Sequence, residues 1–224
     1  MTCWALLALK PFDRGKTRLA PALGPAERAA VVRAMLAHVV RVLEASEHIA
    51  GIAIVTQETG PLPVTAHVLP DRGRGLNEAI ADGARALAAR GADELLVLHP
   101  DLPLLSTAEI DEFVVQGRRP GLGLAPDRHG SGTNAVFLRL PCDFAFRFGP
   151  SSFERHLRVA RQLGVEPAIV RLGGFVFDVD EPCDLAALRE AHGARPDLAI
   201  DPRSPTTWAP SSNPCSSKHA AAHG

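Results

Sequence analysis

Short apolar runs alternate with longer amphipathic segments through most of the 224-residue chain. Apolar runs bounded by Gly, Pro or polar clusters are typical of buried strands, and apolar positions at helical spacing are typical of covering helices. The alternation predicts an α/β fold in which helices flank a mainly parallel central sheet. We predict strands at residues 3–9, 51–56, 64–69, 95–98, 121–126, 135–138, 165–172 and 174–178, and helices at residues 25–49, 78–90, 107–116, 152–163 and 182–191.

The apolar run at residues 95–98 stops at Asp101, which lies between two prolines that cannot donate to a sheet ladder. Ser106 and Glu109 then form a capping box that opens a helix. Asp101 is therefore predicted in a strand-to-helix turn at the carboxyl end of a central parallel strand, where open α/β sheets bind ligands. The alternative is a turn aspartate that bonds its own backbone.

A basic loop follows the first predicted strand and contains Lys10, Arg14, Lys16 and Arg18. Lysine is rare among the 24 basic residues of this chain, yet two of its three lysines lie in this loop. Clustered cations at the carboxyl end of a strand suit a bound polyphosphate. The spacing is not that of a P-loop. The alternatives are a solvated basic loop and clustering by chance.

Asp178 and Asp180 alternate at the end of the last predicted strand, so an extended backbone places both carboxylates on one side. Paired carboxylates at a strand end suit a hard divalent cation. The alternative is that Asp180 only caps the helix that begins near Pro182.

Three further polar stretches contain glycines or helix-start residues. Gly75 lets the backbone approach a ligand closely, and Asn77 can either cap the next helix or bind the edge of a nucleobase. The stretch at residues 127–134 can cradle an anion with its N–H groups or simply connect a hairpin. Ser151 and Glu154 form a second capping box, whose helix start is either an anion site or a plain cap.

These clusters supply cations, carboxylates and anion cradles where predicted strands give way to loops. The combination indicates metal-assisted phosphoryl or nucleotidyl transfer, in which Mg²⁺ lies between phosphate oxygens and carboxylates. A phosphate that acts as the acceptor is already mostly a dianion at neutral pH, so it needs positioning and charge neutralisation more than a base.

Composition narrows the class of protein. The formal charge of −1 argues against nucleic acid as the main partner, and the sequence shows neither an apolar run of membrane-spanning length nor a signal peptide. We expect a cytoplasmic protein with a single domain at residues 1–196 and no membrane partner. The Pro-, Ser- and Ala-rich residues 197–224 are expected to form a disordered tail.

Taken in order, the polar motifs resemble those of the CofC/FbiD family, the guanylyltransferases of coenzyme F420 biosynthesis, over residues 1 to about 192. The resemblance implies a GT-A-like nucleotidyltransferase fold, Mg²⁺ as cofactor and a homodimer. It also implies transfer of GMP from GTP to 3-phospho-D-glycerate, 2-phospho-L-lactate or phosphoenolpyruvate, with release of pyrophosphate. The motifs are Lys10-Pro11-Phe12, Gly15-Lys16-Thr17-Arg18-Leu19, Gly75-Leu76-Asn77, Asp101-Leu102-Pro103, Ala125-Pro126-Asp127-Arg128, Gly132-Thr133-Asn134, Phe148-Gly149-Pro150 with Ser152-Phe153, and Phe177-Asp178-Val179-Asp180.

The resemblance also implies a role for individual residues of this sequence. It implies metal binding by Asp101, Asp178 and Asp180, and binding of the acceptor acid by Thr133, Gly149 and Ser152. It implies nucleotide binding by Lys10, Lys16, Arg18, Gly75 and Asn77, with Asn77 facing the base. Lys16, Arg18 and Asp101 are the residues expected to act in catalysis.

The sequence departs from the family pattern at Ser151, where the family often has glycine. Its extra hydroxyl predicts that 3-phosphoglycerate is used at least as well as 2-phospholactate, unless Ser151 only caps its helix. Two other functions stay open on sequence alone. One is a related nucleotidyltransferase acting on molybdenum cofactor or a sugar phosphate, and the other is a non-catalytic nucleotide-binding protein of the same fold.

Overall fold

Seven strands, six α-helices and a short 3-10 helix (Thr17–Leu19) are found in the computed structural model, which describes residues 1–194 and, within the last helix, side chains to residue 188. The predicted tail at residues 197–224 lies outside these described residues. The strands are β1 (Cys3–Leu9), β2 (Ile49–Thr56), β3 (His67–Pro70), β4 (Glu94–Leu98), β5 (Leu122–Pro126), β6 (Thr133–Arg139) and β7 (Ala168–Ile169). The helices are α1 (Pro25–Glu44), α2 (Leu76–Ala88), α3 (Thr107–Arg118), α4 (Ser152–Gln162), α5 (Gly173–Val176) and α6 (Pro182–Ala194).

The strands form one sheet in the order β3-β2-β1-β4-β6-β5-β7. Strands β3, β2, β1 and β4 are parallel, and β6 is antiparallel to both of its neighbours, β4 and β5. Strand β7 is parallel to β5, so every strand except β6 runs in one direction. We call the side of the sheet where these strands end the carboxyl edge. Because β6 is reversed, it begins there, and its residue Thr133 lies near the end of β4.

The core has two layers, one on each face of the sheet, because side chains alternate along a strand. Leu7 of β1 packs in the layer that contains α1 and α3, and Leu6 packs in the layer that contains α2 and α4. Both leucines are fully buried. Burial of this kind contributes about 2 kcal/mol for each leucine.

The predicted α/β class and mainly parallel sheet are confirmed, but several boundaries differ. Helix α1 ends at Glu44 rather than near residue 49, because the chain turns there and enters β2. The strand expected at residues 165–172 is reduced to the two residues of β7.

The strand predicted at residues 174–178 is wrong, because the short helix α5 occupies most of it. The carboxylate of Glu109 accepts a hydrogen bond from the Gly174 N–H at 2.7 Å. The Asn134 amide donates to the carbonyl of Phe175 at 2.8 Å. Side chains of other elements thus satisfy backbone groups that a neighbouring strand would otherwise pair.

Within the described residues, no helix is both long enough and apolar enough to cross a membrane.

A buried ion pair anchors the start of β4 at the edge of the sheet opposite the carboxyl edge. Glu94 is fully buried, and the Arg118 guanidinium holds it with Nε 3.0 Å from both carboxylate oxygens and Nη2 2.7 Å from Oε2. The side chain of Arg118 is itself largely buried, at 24% exposure. Removal of the guanidinium would leave a buried carboxylate without its charged partner, which is a costly state.

We predict that Arg118→Leu lowers the free energy of unfolding by about 3 kcal/mol, the scale of losing one partner of a buried pair. The adjacent and exposed Arg119 offers a matched control, since Arg119→Leu should change that free energy by less than about 0.5 kcal/mol. Urea unfolding of both variants measures the difference. Equal effects of the two substitutions would show that the pair adds nothing to stability.

Candidate active site

Lys16 joins segments from three parts of the chain at the carboxyl edge. Its ammonium Nζ donates to Asp101 Oδ2 in a short hydrogen bond and to Asp180 Oδ1 at 2.7 Å. Lys16 follows β1, Asp101 follows β4, and Asp180 precedes α6. The structure therefore brings together three residues that the sequence placed on separate loops.

The backbone at Lys16 is in the left-handed region, with φ of 50° and ψ of 44°. A residue with a Cβ is strained there by about 1–2 kcal/mol, so the surrounding contacts must hold it in place. The bonds to Asp101 and Asp180 provide such contacts. The strained backbone thus directs the ammonium towards the carboxylates rather than into solvent.

The charges of Lys16 and Asp101 stabilise each other in a largely buried setting. Burial raises the pKa of Asp101, but the Lys16 ammonium, the nearby His99 and the hydrogen bond from Lys16 outweigh it and leave the pKa below its ordinary value. Burial likewise lowers the pKa of Lys16, and the two carboxylates outweigh it and raise that pKa. Both groups are therefore charged at neutral pH.

Asp178 differs from Asp101 in its electrostatic setting. Burial, followed by the negative charges of Asp101 and Asp180, raises its pKa above the ordinary value. Arg128 opposes this effect only partly, because its guanidinium lies 3.8 Å from the Asp178 carboxylate. The Asp178 carboxylate is thus the least well compensated charge among the three.

A second ion pair supports the backbone that carries Asp178 and Asp180. Arg128 donates to the carbonyl of Asp178, and its Nη1 lies 2.7 Å from Asp184 Oδ1. Asp184 Oδ2 in turn accepts the N–H groups of Asp180 at 2.8 Å and of Glu181 at 2.7 Å. These backbone contacts fix the direction in which the two aspartates point.

The alternative role for Asp180, as a plain helix cap, is contradicted by these contacts. Its carboxylate faces Lys16 and lies 3.7 Å from the Arg18 guanidinium, and it is Asp184 that accepts the backbone N–H groups before α6. Sequence reasoning did not identify Arg128 and Asp184 as supports. Their only local signal was that Arg128 belongs to a motif quoted for the family resemblance.

The three aspartates fit a divalent cation in chemistry but do not form a ready cage. Asp101 Oδ1 is buried and has no hydrogen-bond partner among the described residues, and burial, followed by the negative charges of Asp101 and Asp180, raises the pKa of Asp178. Both observations suit an added cation, since hard cations bind carboxylate oxygens. Within the described residues no three acidic, His or Cys side chains are already arranged around a metal position. In this structure the Lys16 ammonium contacts two of the three carboxylates.

Asn77 pairs with the backbone of the loop before α4. Its Nδ2 donates to the Phe148 carbonyl at 3.1 Å, and its Oδ1 accepts the Phe148 N–H at 2.7 Å. The capping role is excluded because Gly75, with φ of 102°, is the residue that precedes α2. The expected contact with a base stays a prediction, and in this structure both polar atoms of the amide bond to Phe148.

The predicted acceptor-binding residues come together beside the start of β6. The Ser152 N–H donates to the Gly149 carbonyl at 3.1 Å, and Thr133 Oγ1 lies 2.9 Å from His156 Nδ1. Phe153 N–H donates to the carbonyl of Ser131, which ties the turn before α4 to the loop before β6. Whether an acid binds at these residues stays a prediction.

The capping box expected at Ser151 is wrong. Ser151 has φ of 53° and its side chain caps no backbone group, and Glu154 pairs with Arg158 one turn later at 2.9 Å. A left-handed residue cannot present its hydroxyl to the helix start in the way an extended cap residue does. The hydroxyl of Ser151 is therefore exposed beside Gly149.

The loop at residues 127–132 is a hairpin connection, because β5 and β6 pair directly. Asp127 Oδ1 accepts the Ser131 N–H at 2.9 Å, and the Asp127 N–H donates to the Gly132 carbonyl at 3.1 Å. Asp127 thus engages the polar groups that an anion cradle would need. This observation favours the hairpin alternative for the loop itself.

A cavity of about 580 Å³ lies beside the basic loop, between it, α1 and the segment after β2. Arg33 stacks over the ring of Phe12 at 3.8 Å, and Glu58 accepts the Phe12 N–H at 3.0 Å. Arg14 is the one cation of the basic loop that lines this cavity, and the residues to which the family resemblance assigns substrate contacts do not line it. It is therefore adjacent to the candidate active site rather than part of it.

We predict that Asp178→Asn raises the melting temperature at neutral pH in buffer that contains a metal chelator. A carboxyl group whose folded pKa is raised above its ordinary 3.8 favours folding below that value and loses this contribution as pH rises through the raised pKa. The gain should therefore shrink as pH is lowered below the raised pKa. Asp143→Asn, at an exposed carboxylate, is the control and should show no such gain. A lower melting temperature for Asp178→Asn at neutral pH would contradict the proposed charge crowding.

Several guanylyltransferases are similar to this chain over most of its length. The chain is 38% identical over 192 residues to a phosphoenolpyruvate guanylyltransferase of Sphaerobacter thermophilus, covering 84% of this chain and 93% of that protein. It is 34% identical to a phosphoenolpyruvate guanylyltransferase of Rubrobacter xylanophilus, covering 87% and 97%. It is 29% identical to a 2-phospho-L-lactate guanylyltransferase of Methanothermobacter thermautotrophicus, covering 84% and 83%.

Solved structures support the fold. A protein of Desulfovibrio desulfuricans G20 assigned to the nucleotide-diphospho-sugar transferases has a TM-score of 0.72 at 16% identity, covering 92% of this chain and 93% of that one. A nucleotidyl transferase from Methanothermobacter has a TM-score of 0.57 at 14% identity, covering 86% and 98%. The sequence model described as guanylyl transferase CofC like matches residues 3–195. The resemblance inferred from the motifs is thereby confirmed, and the chain belongs to the CofC-like guanylyltransferase family.

Proposed function

We propose that this protein transfers GMP from GTP to a small phosphorylated three-carbon acid and releases pyrophosphate, as a step of coenzyme F420 biosynthesis. The observation that carries the proposal is the contact of Lys16 with Asp101 and Asp180 at the carboxyl edge. A cation and carboxylates at one point suit the transfer of a charged phosphoryl group. Names of the relatives support guanylyl transfer in particular.

In the proposed reaction, a phosphate oxygen of the acid attacks the α-phosphorus of GTP. A new P–O–P bond forms, the bond from the α-phosphorus to the oxygen that bridges the α- and β-phosphates breaks, and pyrophosphate leaves with the bonding electrons. Lys16, Arg18 and Lys10 would bind the triphosphate and neutralise the negative charge that develops on it. Because the attacking phosphate is already mostly a dianion, no side chain is needed to remove a proton from it.

Mg²⁺ would be held by Asp101, Asp178 and Asp180, and when bound it would polarise the phosphate oxygens. The unpaired Asp101 Oδ1 and the raised pKa of Asp178 support this assignment. Lys16 contacts two of these carboxylates, those of Asp101 and Asp180.

The acceptor acid would lie against Thr133, Gly149 and Ser152 at the start of β6 and of α4. Two of the relatives described above are named as phosphoenolpyruvate guanylyltransferases, which supports phosphoenolpyruvate as an acceptor. The side chain of Ser151 is exposed and caps no backbone group, which supports the use of 3-phosphoglycerate as well. Cytoplasmic location remains a prediction from the sequence, and a homodimer remains a prediction from the family resemblance.

Turnover with GTP and each acid supplied separately tests the proposal. We expect pyrophosphate release that depends on the acid, with a product whose mass equals the acid plus GMP minus water. The matched control for the nucleotide is the same assay with ATP or CTP in place of GTP. Transfer only to a sugar phosphate or to molybdenum cofactor would replace this function with that of a related nucleotidyltransferase. Absence of any transfer would favour a non-catalytic nucleotide-binding protein.

We predict that Lys16→Ala and Arg18→Ala each lower kcat/KM by on the order of 2–4 kcal/mol of transition-state stabilisation, the scale for one preorganised charge-stabilising group. The loss should be similar with every accepted acid, because both residues would act on the triphosphate. Arg90→Ala is the control, since Arg90 is an exposed cation that precedes β4 at the opposite edge of the sheet. A loss confined to one acid would instead place the basic loop in the acceptor pocket.

A further inference from the structure

His156 is a fully buried histidine that the proposed reaction does not use directly. It lies in α4, with its ring 4.9 Å from that of Phe148 and 5.5 Å from that of Phe144. Each ring nitrogen has one polar partner. Nε2 is 2.9 Å from the backbone nitrogen of Arg147, and Nδ1 is 2.9 Å from Thr133 Oγ1.

The partner of Nε2 determines where the ring carries its hydrogen. A backbone N–H can only donate, so Nε2 must accept the hydrogen bond from Arg147 with a lone pair. A doubly protonated imidazolium has no such lone pair. The ring is therefore neutral, with its single N–H at Nδ1, and this nitrogen donates to Thr133 Oγ1.

The surroundings also favour the neutral ring. Burial, and then the nearby Arg155, His99 and Arg147, lower the pKa of His156 to about 4. A protonated ring would have to leave the hydrogen bond with Arg147 and remain buried near two arginines.

The direction of this hydrogen bond decides what Thr133 offers to other groups. A hydroxyl that accepts from histidine keeps its own hydrogen and can donate it elsewhere. With the opposite tautomer, Thr133 would give that hydrogen to the ring and present only lone pairs, which repel an anion. A phosphorylated acid is an anion at each of its polar ends and is stabilised by donors.

We propose that His156 is a positioning residue, which holds the Thr133 hydroxyl as a hydrogen-bond donor towards the anionic acceptor acid. The inference rests on the proposed function, in that Thr133 is taken to contact the acid. It adds a residue to that site and gives a chemical reason for an imidazole at this buried position. It also explains how a neutral hydroxyl discriminates in favour of an anion.

The tautomer is tested first, on the wild-type protein without substrate. Nitrogen NMR of protein labelled at histidine should show one neutral imidazole protonated at Nδ1, and this signal should be missing from His156→Phe. The signal should persist unchanged from pH 6 to pH 8. A ring protonated at Nε2, or a doubly protonated ring in this range, would overturn the inference.

A double-mutant cycle then tests the link to the acid. Thr133→Val and His156→Phe should each raise KM for the acid by on the order of tenfold or more, the scale of one hydrogen bond to a charged group, with KM for GTP unchanged. Because His156 acts through Thr133, the double variant should raise KM for the acid no more than the more impaired of the two single variants does.

Phe144→Leu is the control for packing, because Phe144 contacts the same ring and its effect should multiply with that of Thr133→Val. Multiplicative effects of His156→Phe and Thr133→Val would overturn the inference while leaving the proposed function intact. If the wild-type protein transferred GMP to none of the acids, the proposed function itself would be wrong. A phosphorylated three-carbon acid would then be excluded as the partner of Thr133.

Discussion

The bond of one ammonium to two carboxylates is the constraint on which the candidate active site depends. Lys16 is 85 residues from Asp101 and 164 residues from Asp180 along the chain, yet its Nζ contacts both. Carboxylates cannot be gathered in a largely buried place without a cation, because each loses its hydration there. The sheet brings the loops to one edge, but the ammonium is what allows the acids to remain charged and close together.

Local sequence was sufficient to predict the features whose causes are local. The capping box at Ser106 and Glu109 is present as expected, and Asp101 follows the buried strand β4. The strand prediction at residues 174–178 was wrong because residues distant in sequence determine the structure of this segment. The run of apolar residues there has strand propensity, but Glu109 and Asn134, far away in sequence, bond to this backbone and hold it as the helix α5.

The same distinction holds for the site. Lys16 and Asp101 follow the strands β1 and β4 and could be expected to meet, because parallel strands end at one edge. Asp178 and Asp180 reach the same place although the strand predicted before them is absent. Arg128, Asp184 and His156 could not be found in this way, since they act on the backbone or side chains of other residues. The cap proposed for Ser151 failed because its backbone is left-handed, a property that only glycine would have signalled in the sequence.

The reversed strand β6 has a consequence for how this architecture can diversify. It reaches the carboxyl edge through a hairpin turn, whereas the basic loop and the Asp101 turn belong to connections between parallel strands. A hairpin turn tolerates insertion or replacement without moving a helix, while a change in a parallel crossover shifts a whole element. Thr133 of the proposed acid site comes directly after this hairpin, so a change in the length of the turn would reach Thr133 without altering the crossovers that carry Lys16 and Asp101.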